Sequence, residues 1–518
     1  MYKVNIRFGT LEELGNAVDI LLADGPVRGL HLSTAATITP PSKPKTTLWS
    51  PLSVQTHDDP LNRGIPVVRE EGVVLLGAPL GSENFVGEVI RTKIDKIRQV
   101  TNLLPDLQDP HTEFALLRSC LALPKLLFLL RTVDTTPFQH LLAEFDSLTR
   151  EALTRILGSP IPPLQWEQAK LPVTMAGMGL RAATDHAPAA YVTSFLTSQT
   201  LVQQLLNNGV EEDPVYPPQE CLDTLTAKLQ GEDEMSWESF IGQSQKMVSC
   251  SIDQANQKMF ATKIQDLSDR EKARLASLSL EHSGDWLNCP PIPALGIHLR
   301  GPEFVVAAKF RLGLDVYDRE GACPACGKTS DTLGDHGLVC GTGGERISRH
   351  NSLRDALFDT AVSAGLSPTK EARGLLPGSA RKPGDVFLPH WSGGLDAALD
   401  VTITHPLQNL TVAEAAVTPG HAMSVAYERK MRGAGELCRG QGIAFIPVVA
   451  ESLGGLHGIA VREIKKIGAA LARHTGEDEG QTTSHLFTRV AILIQRGLAA
   501  LLLNRIPDYP SVVISGDV

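Results

Sequence analysis

The spacing of apolar residues in 82–200 predicts a helical region, because these residues recur at intervals of three and four. Ser82 is a residue type that caps helix starts. Asp109-Pro110 and Thr136-Pro137 each place a proline where a helix begins. The first of these helices has an apolar face made of Val86, Ile90, Ile94, Ile97 and Leu104. Such faces predict helices that pack on one another, and they assign no chemistry.

The last third of the chain changes to strand-like alternation. In 395–404, apolar residues at 399, 401 and 403 alternate with Asp400, Thr402 and Thr404, as in a strand with one apolar and one polar face. A second strand is expected at 382–388. A helix at about 421–438 and a strand at 443–449 follow, so the order from about Leu353 is helix, strand, strand, helix, strand. Upstream, Val73 to Leu76 predicts a short strand.

Composition places the chain among ordinary globular proteins. It has 518 residues, of which 42% are hydrophobic and 20% charged, and this excludes a collagen, a coiled-coil rod and a wholly disordered chain. The net charge of −10 excludes a general polyanion binder, so any nucleic-acid contact needs a local basic patch. With no signal peptide pattern and no run of about 18 apolar residues, we expect a soluble intracellular protein, nuclear or cytoplasmic.

Three of the eight cysteines cluster with a histidine. The spacing Cys323-x2-Cys326-x9-His336-x3-Cys340 supplies four soft or borderline ligands, which is what a tetrahedral zinc requires. The segment has few apolar residues, so it needs a metal to fold. We therefore predict a closed, structural Zn²⁺ site, against the alternative of unrelated thiols and a surface histidine.

The segment 346–382 carries an excess of four positive charges. It predicts a phosphate-facing surface, although a solvated helix face is equally compatible with such a run. The cations expected to contact nucleic acid are Arg346, Arg349, Arg354, Lys370, Arg381 and Lys382.

Two aspartates lie on the predicted strands. If the strands form a hairpin, Asp385 and Asp400 can face the same side, and two close carboxylates repel unless a divalent cation lies between them. Mg²⁺ keeps several waters, and it could provide both a nucleophilic water and charge neutralisation at a phosphodiester. Lys430, which shares a helix face with Tyr427, could orient water or stabilise the transition state. Structural aspartates at strand ends are the alternative.

Together, these motifs resemble a known family. The order CxxC…HxxxC, Arg349-His350-Asn351, Glu371, Pro383-Gly384-Asp385, Asp400 and Lys430 resembles the restriction-like endonuclease domain of non-LTR retrotransposons, a branch of the PD-(D/E)xK nucleases. The resemblance implies a Mg²⁺-dependent DNA endonuclease with Asp385, Asp400 and Lys430 as catalytic residues. Glu371 is carried over as an extra acidic ligand. Thr402 stands where a more ordinary member has lysine, and Gly384 separates the proline from the aspartate.

The upstream half is similar to the end of the same polyprotein. Gly72 to Gly81 resembles the primer grip of a reverse transcriptase, and the helices through Leu116 to Cys120 resemble its thumb. The implied fold is mixed α+β, with a thumb-like helical half, a zinc knuckle and a compact α/β endonuclease domain. Its expected parts are a truncated palm remnant (1–81), a thumb-like region (82–204), an acidic linker with connecting helices (205–320), the CCHC knuckle (321–345), the endonuclease (346–475) and a C-terminal helical segment (476–518).

The resemblance also shows a departure. Reverse transcriptase chemistry needs paired aspartates on a strand end, and the only adjacent pair, Asp58-Asp59, lies in a polar, proline-flanked stretch. We expect no polymerase activity from this polypeptide, which primer extension on an RNA template would test. The expected partners are a DNA target and element RNA, without a membrane or small-molecule cofactor. The alternatives are a catalytically inactive nucleic-acid-binding remnant and a helical protein-interaction module.

Overall fold

The computed structural model describes residues 71–206, 216–230, 236–376 and 382–506, together with 19–20, 23–24, 27, 48–49 and 67–68. The chain divides into two compact units, 1–95 and 96–518. Asp58-Asp59, the C-terminal residues 507–518 and most of the predicted palm remnant lie outside the described residues. The chain as a whole is a mixed helix and sheet protein, as expected.

The described part of the first unit contains two small strand pairs and the start of a helix. Strands β1 (Leu48–Trp49) and β2 (Val67–Val68) are parallel, and β3 (Gly72–Leu75) and β4 (Ala78–Gly81) form an antiparallel hairpin. The predicted short strand is therefore confirmed as β3. Helix α1 (Glu83–Thr101) follows, and the Ser82 hydroxyl accepts a hydrogen bond from the Phe85 amide at 3.3 Å, which confirms the cap.

Helices dominate the second unit up to residue 312. In chain order they are α2 (Pro110–Leu116), α3 (Leu123–Thr132), α4 (Gln139–Leu157), α5 (Pro163–Lys170), α6 (Ala183–Leu206), α7 (Gln219–Leu229), α8 (Gln245–Lys263), α9 (Asp269–Leu278), α10 (Asp285–Asn288) and α11 (Gly301–Leu312). Gly158 ends α4 in the left-handed conformation, at φ +60°, as the sequence predicts. Pro124 lies in the first turn of α3, after a π-helical turn at Leu117–Leu121.

The region predicted as linker and connecting helices contributes to the hydrophobic core. Leu222 and Leu225 of α7 pack with Val248 and Ile252 of α8 and with α6. The acidic clusters on which the prediction of a linker was based lie at 211–213 and 232–234, outside the described residues. The helices between those clusters bury ordinary apolar faces, so α7 and α8 extend the helical region. The six-part division of the chain itself remains a prediction.

A four-stranded sheet positions the candidate site. The remaining elements are β5 (Gly321–Ala322), β6 (Thr329–Ser330), α12 (Asp335–Val339), α13 (Glu345–Ser363), β7 (Thr369–Lys370), β8 (Val386–Ser392), β9 (Leu395–Thr404), α14 (Val412–Val417), α15 (His421–Lys430), α16 (Glu436–Arg439), β10 (Ala444–Glu451), α17 (Gly458–Thr475) and α18 (Glu479–Leu503). The sheet order is β10-β9-β8-β7, with β10 parallel to β9 and the other pairs antiparallel. This confirms the predicted order of elements, with β7 and α14 added.

Each face of the sheet is covered by helices. Leu399 and Val401 of β9 pack in one core with α13 and α17, and Ala398 packs on the other side with Cys438 and Phe445. The alternation predicted from the sequence is therefore the alternation between two covered faces. Asp400 follows the register of Ala398, on the side of α15 and α16.

Helix α18 joins the two large cores. Its Leu486 and Ile494 pack with the sheet, while Leu498 and Leu502 pack with the helical region. Of the described helices, it alone is long and apolar enough to cross a membrane, and 78% of its apolar window is buried inside the protein. With these contacts, α18 is a core helix of the protein.

Candidate functional site

The cysteine and histidine cluster is built by a short hairpin and a helical turn. Strands β5 and β6 pair antiparallel, and Gly327 closes the knuckle at φ +71° with its amide on the Cys323 carbonyl at 2.8 Å. Helix α12 carries His336, and the Cys340 amide donates to the His336 carbonyl at 2.9 Å. Glycine is required at the knuckle, because other residues rarely adopt a positive φ.

The four predicted ligands converge. The Sγ atoms of Cys323, Cys326 and Cys340 and a ring nitrogen of His336 all lie within 4.8 Å of one another. A tetrahedral zinc with Zn–S bonds near 2.3 Å separates two sulfurs by about 3.8 Å, so the cluster can hold a zinc ion with only small adjustments. No other cluster of this kind is found in the described residues.

Arg505, just beyond α18, ties this cluster to the helix that follows it. Its guanidinium lies 3.2 Å from the Glu345 carboxylate at the start of α13 and donates to the Thr342 carbonyl at 2.7 Å. Burial raises the pKa of Cys340, but hydrogen bonds from Thr342, Cys326 and Arg505 outweigh it and lower that pKa to about 6. A thiolate is the form that binds zinc. The cluster therefore braces the start of α13.

The two predicted aspartates are neighbours across the β8–β9 hairpin. Asp385 directly precedes Val386, which pairs with Leu399, and Asp400 directly follows Leu399, so the two carboxylates lie close enough for the Asp385 charge to act on Asp400. The Asp385 amide donates to the Leu399 carbonyl at 2.7 Å. The β8–β9 hydrogen-bond ladder ends here, because the Asp385 carboxylate accepts a hydrogen bond from the Val401 amide at 2.7 Å.

The unexpected glycine at 384 has a steric reason. A side chain there would place its Cβ 2.7 Å from the Leu399 carbonyl oxygen and 3.2 Å from the Ala398 Cβ. The first contact is closer than atoms tolerate in packed interiors, and the second is tight. Gly384 therefore lets the chain approach β9 closely just before Asp385.

Lys430 reaches Asp400 from the end of α15. Its Nζ lies 2.7 Å from the Asp400 Oδ2, an ion pair in which the side chains are 33% and 16% exposed respectively. Burial raises the pKa of Asp400 above its ordinary value, and the neighbouring Asp385 charge adds to this, although Lys430 opposes both. The carboxylate is thus held charged mainly by the lysine.

His350 of α13 pairs with the other carboxylate. Its Nε2 lies 3.1 Å from the Asp385 Oδ2, and this hydrogen bond raises the pKa of His350. Burial would raise the pKa of Asp385, but the bond and charge of His350, with the Val401 amide, hold it below its ordinary range. His350 belongs to the motif Arg349-His350-Asn351, from which no separate role for it was predicted. Its only sequence signal was its position four residues before Arg354, on one helix face.

Glu371 is neutralised by two cations. Its carboxylate lies 2.9 Å from the Arg354 guanidinium and also contacts the Lys382 ammonium. The Glu371 amide donates to the Asp385 carbonyl at 2.8 Å, so the residue lies beside the aspartates in the chain fold. The structure therefore places Glu371 at the rim of the site, bound to arginine and lysine.

Several cations of the predicted basic surface are paired with carboxylates. Arg346 is exposed, whereas Lys370 pairs with Asp355 at 2.8 Å, as does Arg354. Lys382 is paired as described above, and Arg381 lies outside the described residues. Asp355 and Glu371 thus pair with three of the six cations expected to contact nucleic acid.

The burial of Arg349 contradicts its predicted contact with nucleic acid. It is 4% exposed, and its Nε and Nη1 atoms are buried with no hydrogen-bond partner in the described part of the chain. Burial lowers its pKa to about 10. It points into the protein because it lies on the face of α13 that packs on α18, against Gly497. Arg349 is therefore not part of an accessible phosphate-facing surface.

Comparison of the chain with protein-family models gives no match, and comparison with curated protein sequences gives none. What the site can do therefore has to be argued from its own geometry.

Proposed function

We propose that the protein is a retrotransposon-derived, Mg²⁺-dependent DNA endonuclease that nicks a target strand. The observation that supports this most directly is the convergence of Asp385, Asp400 and Lys430 at the point where β8 and β9 separate. The resemblance to the PD-(D/E)xK nucleases supplies the substrate class.

The donor set at this point suits a hard cation. Asp385 and Asp400 would hold Mg²⁺, since it prefers carboxylate oxygens and water. The contacts of His350, Val401 and Lys430 reach the Oδ2 atoms, which leaves the Oδ1 atoms as the oxygens for a cation. When bound, Mg²⁺ would lower the pKa of a water and offset charge on the phosphate.

The chain's own residues have distinct roles in this proposal. Lys430 lies beside Asp400, where an ammonium can orient the attacking water or stabilise negative charge on the phosphoryl oxygens. His350 holds the Asp385 carboxylate in place through its Oδ2 atom. The zinc cluster fixes the start of α13, the helix that carries His350, so its role is structural.

A nicking assay with supercoiled plasmid and Mg²⁺ tests the proposal. We expect wild-type protein to convert it to open circles and Asp400→Ala to lose the activity. Asp396→Ala is the matched control, because Asp396 lies on the same strand and its carboxylate contacts His390, through the backbone amide at 3.0 Å and the ring at 3.9 Å. Equal cleavage by wild type and Asp400→Ala would exclude the proposed site.

One observation favours a second function, a catalytically inactive nucleic-acid-binding remnant. Both aspartates already have cationic or hydrogen-bonding partners, His350 and Lys430, so the pair is stable without a metal. Binding that weakens steeply with salt, together with no cleavage at any Mg²⁺ concentration, would support the remnant. Under that reading, no activity would depend on Asp400.

A further inference from the structure

A cavity in the helical region is lined by cations and hydrogen-bond donors. It has a volume of about 400 Å³ and lies between the start of α3, the segment 172–179 and the end of α10. None of the described residues that line it is an aspartate or a glutamate. Its polar lining consists of Arg118, Ser119, Thr174, Arg181 and Asn288.

Arg118 is the central cation of this cavity. It donates to the Asn288 Oδ1 at 2.8 Å and has no carboxylate partner among the described residues. Burial lowers its pKa, with only the Cys289 thiol opposing. Gly179, at φ +76°, packs against the Arg118 side chain. Arg181, by contrast, is fixed by the Asp253 carboxylate at 3.1 Å, so Arg118 is the cation that is left to take a ligand.

A second guanidinium without a carboxylate lies behind the cavity wall. Arg311 is 1% exposed, and it donates to the carbonyls of Val173, Gly177 and Ser283 at 2.9–3.2 Å. Val173 itself lines the cavity. A buried charge that no acid offsets in the described chain adds positive potential to the cleft, where low-dielectric walls strengthen it.

A larger cavity adjoins this one and has two aromatic rings in its wall. Its volume is about 860 Å³, and it shares Val173, Thr174 and Asn288 with the first. The rings of His282 and Phe487 stack in its wall at 3.8 Å and 5°. The carboxylates of Glu281, Asp285 and Glu479 also line it, and that of Asp285 lies 2.7 Å from the His282 Nδ1. Such groups can accept hydrogen bonds from amino groups, whereas those of the first cavity donate.

We propose that the two cavities together bind one nucleotide unit, free or within a single strand. Its phosphate would lie at Arg118, with Thr174 and Asn288 as donors, and its base beside the His282–Phe487 rings. Stacking on an aromatic ring and a cation on the phosphate are the two elements by which proteins hold single nucleotides. The site lies outside the Asp385/Asp400 centre, and it does not depend on the proposed hydrolysis.

The test is equilibrium binding to the full chain, measured by fluorescence anisotropy without added Mg²⁺, so that cleavage plays no part. The probes are labelled adenosine monophosphate and a short labelled strand of deoxyadenosine. We expect Arg118→Gln to weaken binding by about 10-fold or more, because a charge-assisted bond to phosphate is lost. Arg131→Gln is the matched control, since Arg131 also donates to an amide oxygen, that of Gln245 at 2.7 Å, away from the cavity.

A second variant guards against misfolding. Ser119 is exposed at the cavity, so Ser119→Asp adds a carboxylate beside Arg118 and should weaken binding to a similar extent. Loss of binding to both probes identifies a site for the nucleotide unit, and loss with the strand alone identifies the strand as its source. No binding of either probe, or equal weakening by Arg118→Gln and Arg131→Gln, would overturn the proposal.

Discussion

Replacing Lys430 with methionine tests the charge balance on which the candidate site depends. Removing one partner of a fully buried ion pair costs 3–5 kcal/mol, because a buried charge is left uncompensated. Asp400 is 16% exposed but Lys430 is 33% exposed, so water takes up part of the charge. We expect Lys430→Met to lower the free energy of unfolding by about 1–3 kcal/mol.

A double-mutant cycle separates this effect from simple loss of packing. Asp400→Asn removes the charge that Lys430 balances, so Lys430→Met should cost less in that background than alone. Urea unfolding at fixed zinc concentration measures all four proteins. An identical cost of Lys430→Met in both backgrounds would show that the lysine acts through its methylene groups and that the ion pair contributes nothing.

The same variant also sharpens the question of the metal. In Lys430→Met the two aspartates lose a competing cation, so added Mg²⁺ should stabilise this variant more than wild type. The total stabilisation of the variant is about 2.7 kcal/mol when the ion is present at 100 times its Kd, and it should be absent from the Asp400→Asn double variant. Equal Mg²⁺ effects in all three proteins would refute binding between Asp385 and Asp400.

Three further predictions concern the zinc cluster and the core. Cys340→Ser should lower both zinc content and Tm, since structural zinc contributes folding free energy; unchanged stoichiometry in a metal-release assay would contradict this. Burial raises the pKa of Glu451 to about 7, above its unfolded value, so stability should fall by up to about 3 kcal/mol as pH rises from about 4.5 to 7, and Glu451→Gln should remove that slope in pH-dependent urea unfolding. Gly497→Ala places a Cβ 2.3 Å from the Arg349 Cγ and should destabilise by about 1–2 kcal/mol in thermal unfolding despite alanine's better helix propensity; a higher Tm would show that Arg349 moves freely.

The parts of the fold that could be predicted from the sequence depend on the spacing of residues close together in the chain. The β8–β9 hairpin and helix α15 follow from alternation and turn residues within 50 positions, and the cysteine and histidine cluster follows from ligand spacing within 18. In each case neighbouring residues determine the geometry, through the strand period or a knuckle turn. The start of α1 at Ser82 and the end of α4 at Gly158 were predictable for the same reason.

Long-range partners were not predictable in this way. The burial of Arg349 depends on Gly497. This glycine is far along the chain and leaves room for the arginine side chain against α18. The pairing of His350 with Asp385 depends on how α13 crosses the sheet. No periodicity within either segment records these contacts, because they arise only when the helix and the sheet are packed.

The basic segment shows why a charge count does not locate a nucleic-acid surface. Its excess of four positive charges already subtracts its acids, but the count does not show that Asp355 and Glu371 contact Lys370, Arg354 and Lys382. Pairs of this kind leave little net potential beyond a Debye length of about 8 Å at physiological salt. A phosphate approaching α13 therefore meets Arg346 as the exposed cation among the described residues there that no carboxylate holds. The attraction for nucleic acid depends less on the number of lysines and arginines than on which of them the acids leave unpaired, and by that measure the cavity at Arg118 is as strong a candidate as the segment that the sequence singled out.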